Sequence, residues 1–346
     1  MVTEGHEYRP TEANRKVYTR LYSLYRQLHD GFGVKEWSGG MHNVMKELLD
    51  IRDPFVLLDQ GCYYLYGTRG TTVWTQEDRF DCYTSDDLAT WDGPHEIFHR
   101  APDFWADRSF WAPECHAYEG AYYLLTTFGS GDGRLGVQIL RAESPLGPFA
   151  PWSKGTLTPP EWQCLDGTPY FDAEGAPHLV FSRSFRQVGE GHMCAVEMTP
   201  DLRTTRGEPR VLFSAKDAPW VVPFPFAEDF GIETDVYLSD GPFPHTTRSG
   251  QLLLLWSSFG ANGYTVGIAR SASGDFWGPW EHDAEPLFAG DGGHCMVFRT
   301  REGKLLLALH APNTFGEERP RFLELTETDA GLSLGEPARP AKGGSR

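Results

Sequence analysis

The sequence predicts an all-β chain folded as a five-bladed β-propeller with a short α-helical N-terminal extension. Three observations carry this reading: a hairpin unit that recurs five times, a composition suited to short strands and tight turns, and a change of hydrophobic period near residue 50. Aromatic residues make up 14% of the 346, with 38 Gly and 25 Pro, which favours strands and turns over a helical bundle.

Residues 1–50 come first. Val17, Leu21, Leu24 and Leu28 stand at i, i+4, i+7 and i+11, with Tyr18, Tyr22 and Tyr25 beside them, a helical period. Residues 45–49 predict a second short helix. These helices are expected to lie on the side of the propeller or against another subunit, so a homo-oligomer joined through them is an expected partner.

Residues 51–340 are expected to form the propeller. Five segments share one grammar of extended stretch, polar-Gly turn and apolar strand: RDPFVLLDQGCYYLYGT, FWAPECHAYEGAYYLLTT, DGTPYFDAEGAPHLVFS, DGPFPHTTRSGQLLLLWSS and GHCMVFRTREGKLLLALH. Their turn glycines, Gly61, Gly120, Gly175, Gly250 and Gly303, fit hairpins because such turns need a positive φ. Each hairpin is followed by further strand-like sequence, giving four strands per unit, the grammar of propeller blades. The units recur every 53 to 75 residues, with the widest gap between Gly175 and Gly250, where a loop insertion is expected. A double-sheet sandwich is the competing layout, but it would not repeat one hairpin five times.

The first strand of a blade lines the central channel, so residues that open those strands converge. Counting back eight to ten residues from each turn glycine reaches Asp53, Trp111, Asp166, Asp240 and His294. Not one is aliphatic. Carboxylates crowded in a low-dielectric channel split their pKa values, and glycoside hydrolysis uses that split: one group protonates the leaving oxygen, another activates water. Trp111 offers a face for a sugar ring. An Asp beside Gly or Pro is also a common turn residue, and His294 reads either as a satisfied pore histidine or as an ion ligand.

At these residues the chain resembles glycoside hydrolase family 43, over roughly residues 52–334. The matching words are Arg52-Asp53-Pro54-Phe55, Phe110-Trp111-Ala112-Pro113-Glu114, Asp166-Gly167, Asp240-Gly241-Pro242 and Gly293-His294. The resemblance implies an inverting mechanism. Asp53 is then the general base, Asp166 the carboxylate that orients the acid and raises its pKa, and Asp240 the general acid. The family usually has Glu there, so the Asp is a departure, and Glu233 is a reserve candidate. Phe55 and Glu114, beside Asp53 and Trp111 in these words, are expected with Trp111 among substrate-binding residues. His294 matches a histidine that faces a central calcium or water cluster, so a structural calcium is expected there and no cofactor for the chemistry. Residues 18–33, with MHNVMKELLDIR, resemble the C-terminal tail of ribulokinases, with no kinase core present.

The expected activity is exo-acting α-L-arabinofuranosidase or β-D-xylosidase action on short oligosaccharides. A β-galactofuranosidase or galactan-cleaving exo-enzyme is the alternative within the class. Two rivals differ in kind: a phosphorylase, which would need basic residues where the axis positions are acidic, and a non-catalytic carbohydrate-binding propeller. A formal charge of −17 opposes nucleic acid and anionic membranes as partners, whereas a neutral oligosaccharide meets no such repulsion. Residues 1–10 carry no apolar h-region and the six cysteines are scattered, so a cytoplasmic protein with reduced thiols is expected. Cys115-His116, His192 with Cys194, and His294-Cys295 lack the paired spacing of a zinc site. Gly131 to Gly136 fits a dinucleotide fingerprint but runs into VQIL, a strand rather than the required helix.

Overall fold

The computed structural model describes residues 49–328 and 331–335, together with Thr19 and Tyr22, which are helical. Apart from these two and residues 49–52, the helices expected in residues 1–50, the ribulokinase-like stretch and the expected oligomer contact lie outside the described residues.

The described strands form five four-stranded sheets, each built from one contiguous segment with its strands in chain order. Blade 1 is β1 (Ile51–Asp59), β2 (Cys62–Arg69), β3 (Arg79–Ser85) and β4 (Asp92–His99). Blade 2 is β5 (Arg108–Tyr118), β6 (Ala121–Gly129), β7 (Leu135–Ala142) and β8 (Ala150–Pro151). Blade 3 is β9 (Cys164–Phe171), β10 (Pro177–Arg183), β11 (His192–Met198) and β12 (Thr205–Ser214). Blade 4 is β13 (Asp240–Thr246), β14 (Leu252–Gly260), β15 (Gly263–Ser271) and β16 (Trp280–His282). Blade 5 is β17 (Gly293–Arg299), β18 (Leu305–His310), β19 (Pro320–Thr328) and β20 (Gly331–Leu334). This is a five-bladed β-propeller; a sandwich would pool its strands into two sheets.

The five turn glycines join the first and second strand of each blade, all with φ between +80° and +85°. The expected insertion is residues 215–239, between blades 3 and 4, and it carries two short 3-10 turns, Ala215–Asp217 and Ala227–Phe230. Gly131 to Gly136 leads into β7, so no helix N-terminus stands there for a pyrophosphate.

Second strands are covered by neighbouring blades on both faces, which is why they read as apolar runs rather than alternating ones. All nine residues of β14 are buried. The core is accordingly a series of layers between blades: Leu125, Val137, Leu179 and Phe181 between blades 2 and 3, and Leu253, Leu255, Val266, Leu307 and Leu309 between blades 4 and 5. Each such fully buried side chain stabilises the fold by about 1.5–3 kcal/mol relative to exposure.

A second, polar ring sits inside the apolar layers. Each innermost strand has a residue in the left-handed region at its opening bulge: Asp53 (φ 51°), Ala112 (45°), Asp166 (57°), Gly241 (47°) and His294 (49°), and β5 has a second at Ser109 (53°). Four of their N–H groups donate to a side chain on the second strand of the preceding blade. Ala112 donates to Thr68 Oγ1 at 2.8 Å, Asp166 to Thr127 Oγ1 at 2.8 Å, His294 to Ser257 Oγ at 2.8 Å and Asp53 to His310 Nδ1 at 3.1 Å. The blade 3 to blade 4 step breaks the pattern. There Ser182 Oγ has no hydrogen-bond partner among the described residues, and the Gly241 N–H turns to Asp166 Oδ2 at 3.3 Å.

The seam between blades 5 and 1 is polar as well. Arg52 Nη1 pairs with the fully buried Glu318 at 3.1 Å, and Arg319 with Asp50 at 3.3 Å. All six cysteines are free and five are buried. No helix among the described residues is long and apolar enough to cross a membrane.

Candidate active site

The polar ring corrects the count made from the turn glycines. Asp53, Asp166 and His294 occupy one equivalent position, but its occupants in blades 2 and 4 are Ala112 and Gly241. Trp111 and Asp240 stand one residue earlier, in register opposite Thr127 and Ser257. A backbone bulge turns successive residues in different directions, and all five side chains still line one cavity of about 750 Å³. Left-handed backbone costs a non-Gly residue on the order of 1–3 kcal/mol, so its repetition at Asp53, Asp166 and His294 stores strain where the polar groups gather. Gly241 is required sterically, since a Cβ there would stand 2.8 Å from His294 Cγ.

His294 is the hub. Its Nδ1 lies 3.3 Å from Asp53 Oδ1, 3.9 Å from Asp166 Oδ2 and 3.9 Å from Asp240 Oδ1. The nearest oxygens of Asp53 and Asp240 are therefore separated by no more than the sum of two such contacts.

The carboxylates differ in electrostatics. Burial pushes the Asp53 carboxyl up, but His294, Arg52 and the Thr68 hydrogen bond at 2.5 Å outweigh it and hold it at about 2. Asp166 is pushed well above the usual carboxylate range, first by burial and then by the adjacent Asp240. Asp240 is the most exposed of the three, with 16% of its side chain accessible against 4% for Asp166, and it faces the cavity.

Several residues beyond those expected from the sequence surround this centre. Tyr264 donates its hydroxyl to Asp240 Oδ2 at 2.6 Å. Arg52 stands with Nε 3.8 Å from Asp53 Oδ1. His310 is fully buried, and burial above all depresses it to about 4. It is therefore neutral at pH 7, accepting from the Asp53 N–H through Nδ1 while its Nε2 faces Asn313 Oδ1 at 3.1 Å. One sequence signal could have found part of this shell: four of the five repeat words end in Thr68, Thr127, Ser182 and His310, and the fourth ends one residue past Ser257.

Aromatic side chains wall the cavity. Trp111 donates its indole N–H to Val73 O at 2.7 Å and meets Trp74 edge-on at 5.6 Å. Trp74, Phe226, Phe230 and Phe315 are exposed between 38% and 59%, an unusual state for large apolar groups unless a ligand covers them. Arg186 lies over the Phe230 ring at 4.2 Å and also lines the cavity.

Three expected residues do not reach it. Phe55 is 5% exposed, a member of the apolar core that meets His116 at 4.8 Å, because the bulge after Asp53 turns it away from the cavity. Glu114 is buried and pairs with His116 at 2.9 Å. Glu233 is exposed on the 215–239 insertion and does not line the cavity.

The only described group of three potential metal ligands is Asp166, Asp240 and His294, whose ligand atoms lie within 4.8 Å of one another. Calcium takes six to eight oxygens at about 2.3–2.6 Å. Here one donor is an imidazole nitrogen, and Asp166 Oδ2 and Asp240 Oδ2 already accept from Gly241 N–H and the Tyr264 hydroxyl. The donor set does not make a calcium cage.

The chain matches the family model described as Glycosyl hydrolases family 43 over residues 47–329. Among solved structures it is similar to an endo-arabinase from Bacteroides thetaiotaomicron VPI-5482, with 39% identity, 82% of this chain and 96% of that chain covered, and a TM-score of 0.75. An endo-1,4-beta-xylanase from the same organism shares the fold at 24% identity, with 84% and 95% covered and a TM-score of 0.68. So does an alpha-L-arabinofuranosidase from Lactobacillus brevis at 18% identity, with 83% and 94% covered and a TM-score of 0.65. A comparison with curated proteins gives no match. A match of this length, on a propeller that gathers three carboxylates in one cavity, means that the chain belongs to glycosyl hydrolase family 43 and is a glycoside hydrolase.

Proposed function

We propose that the chain hydrolyses terminal α-L-arabinofuranosyl or β-D-xylosyl linkages of short oligosaccharides with inversion. One observation carries the mechanism: two buried aspartates around His294 are pushed in opposite directions, Asp53 down to about 2 and Asp166 well up. Groups whose environments drive their pKa values apart suit opposite acid and base tasks. Asp53, ionised throughout the neutral range, accepts a proton from the attacking water. Asp166, pushed up by burial and by the Asp240 carboxylate beside it, is the group that keeps a proton. Asp240, the more exposed of the two, delivers a proton to the leaving oxygen. Trp111 and the aromatic rim supply faces for sugar rings. His294 serves as a hydrogen-bonding partner of the carboxylates, and the six free cysteines suit a reducing compartment.

Exo action is supported by walls from several sides: Trp74 from blade 1, Phe226 and Phe230 from the insertion before blade 4, and Phe315 from blade 5. The 39% likeness to a protein described as an endo-arabinase favours endo cleavage of arabinan as the second reading. Digestion of linear arabino- and xylo-oligosaccharides, followed by NMR of the first-formed product, tests both points. The expected result is release of single sugars with inverted anomeric configuration. A ladder of internal fragments would replace exo with endo action, and a retained anomer would overturn the mechanism.

A further inference from the structure

Tyr264 enters the cavity wall from β15, 1% exposed, and its ring lies where Gly293 has no side chain. A Cβ at Gly293 would stand 2.5 Å from Tyr264 Cε1. The ring stacks on His310, with centroids 5.5 Å apart and planes at 22°, and His310 in turn accepts the Asp53 N–H. The hydroxyl donates to Asp240 Oδ2 at 2.6 Å. One side chain therefore touches the carboxyl read as acid and backs the group that holds the carboxylate read as base.

We propose that Tyr264 is a positioning residue for proton donation: it fixes Asp240 Oδ2, leaves Oδ1 to carry the proton, and stabilises the carboxylate that remains. The proposal rests on the reading of Asp240 as general acid. In the reaction, the Asp240 proton passes to the glycosidic oxygen as the bond from that oxygen to the anomeric carbon breaks and its electron pair stays on the oxygen. The water oxygen bonds to the anomeric carbon, and Asp53 takes the water proton. Asp240 changes from neutral to anionic during this step, and a hydrogen bond to an ionised acceptor is roughly twice as strong as one to a neutral acceptor. The Tyr264 contact thus tightens as the proton leaves, which is stabilisation realised in the transition state rather than in the ground state.

Tyr264→Phe removes the hydroxyl and keeps the ring, its stack on His310 and its fit over Gly293. On an oligosaccharide, whose leaving group is basic, kcat should fall by about tenfold to a hundredfold with KM unchanged. On a dinitrophenyl glycoside, whose leaving group needs no proton, kcat should fall by less than about threefold. Gly293→Ala, which puts a methyl where the ring lies but leaves the hydroxyl in the chain, should reproduce this pattern if Tyr264→Phe fails to fold. Equal losses on both substrates would reduce Tyr264 to a structural role and overturn the proposal. Asp240→Asn, measured alongside, separates the levels. If it shows the leaving-group-dependent loss and Tyr264→Phe does not, the Tyr264 proposal alone falls. If Asp240→Asn itself shows no such dependence, the acid assignment fails and takes the proposal with it.

Discussion

Asp53 in blade 1 and Asp166 in blade 3 have the same side chain, the same left-handed backbone and equivalent places on innermost strands, with opposite electrostatic outcomes. Both are buried, and burial alone raises a carboxyl in each case. Around Asp53 the polar seam between blades 5 and 1 brings Arg52 and the Thr68 hydroxyl, and His294 faces it more closely than it does the other two. Around Asp166 the strongest influence after burial is another carboxylate, Asp240, and its one backbone donor is the Gly241 N–H at 3.3 Å. The propeller repeats a backbone socket, and the neighbouring blade decides what the residue in that socket can do.

The most damaging way to break this contrast is to neutralise each side in turn. Asp53→Asn should lower turnover by about 10²–10⁴-fold on oligosaccharides and dinitrophenyl glycosides alike, since water must be activated in both. Asp240→Asn should show its loss on the oligosaccharide alone. A variant of Asp53 that spares the dinitrophenyl substrate would reverse the two assignments.

The pH dependence of stability sharpens the same contrast. His310 is held at about 4, below the ordinary 6.5, so between those values the unfolded chain binds a proton that the folded chain refuses. Stability present above pH 6.5 is therefore lost as pH falls toward 4, by about 3 kcal/mol at most for this fully buried group. His192, His245 and His282 are depressed, chiefly by burial, and add to the loss. Asp53, held at about 2, adds its own loss only at pH values below the ordinary carboxylate range. Asp166 has the opposite sign: being raised, its contribution falls as pH rises above that range. Thermal melts of His310→Gln should fall less steeply between pH 7 and pH 5 than those of the parent chain. An unchanged slope would show that His310 is not buried neutral beside Asp53.

The smallest effect is expected from metal removal. With Asp166 and Asp240 each already accepting a hydrogen bond and His294 set against Asp53, exhaustive chelation should leave Tm and activity unchanged. A drop of a few °C, on the order of 1–2 kcal/mol for a domain of this size, would place a cation at Asp166, Asp240 and His294 after all.

The repeat made the blades legible because a hairpin turn needs a glycine at positive φ, and five such glycines in matching surroundings are a local signal. It brought Asp53, Asp166 and His294 to equivalent positions for the same reason. It misaligned Trp111 and Asp240 by one, because the opening bulge shifts register without changing composition. Phe55 and Glu114 were misplaced by that bulge too: nearness to Asp53 and Trp111 in sequence does not set the face to which a bulged strand turns its side chains. Tyr264, on the third strand of blade 4, carries no spacing relation to Asp240; the two meet through strand order and the missing side chain at Gly293.

What the sequence by itself determined is whatever its local periods encode: five blades, their turns, the insertion before blade 4, and a set of acidic residues aimed at a common cavity. The tertiary structure alone decided which carboxylate is held ionised, which is pushed toward its protonated form, and which hydroxyl fixes the remaining one. The physical reason is range. Turn and strand preferences act over a few residues of chain, whereas the charge on a buried aspartate depends on groups within a few ångströms in space. Here those groups come from blades as distant in sequence as Asp53 and His310.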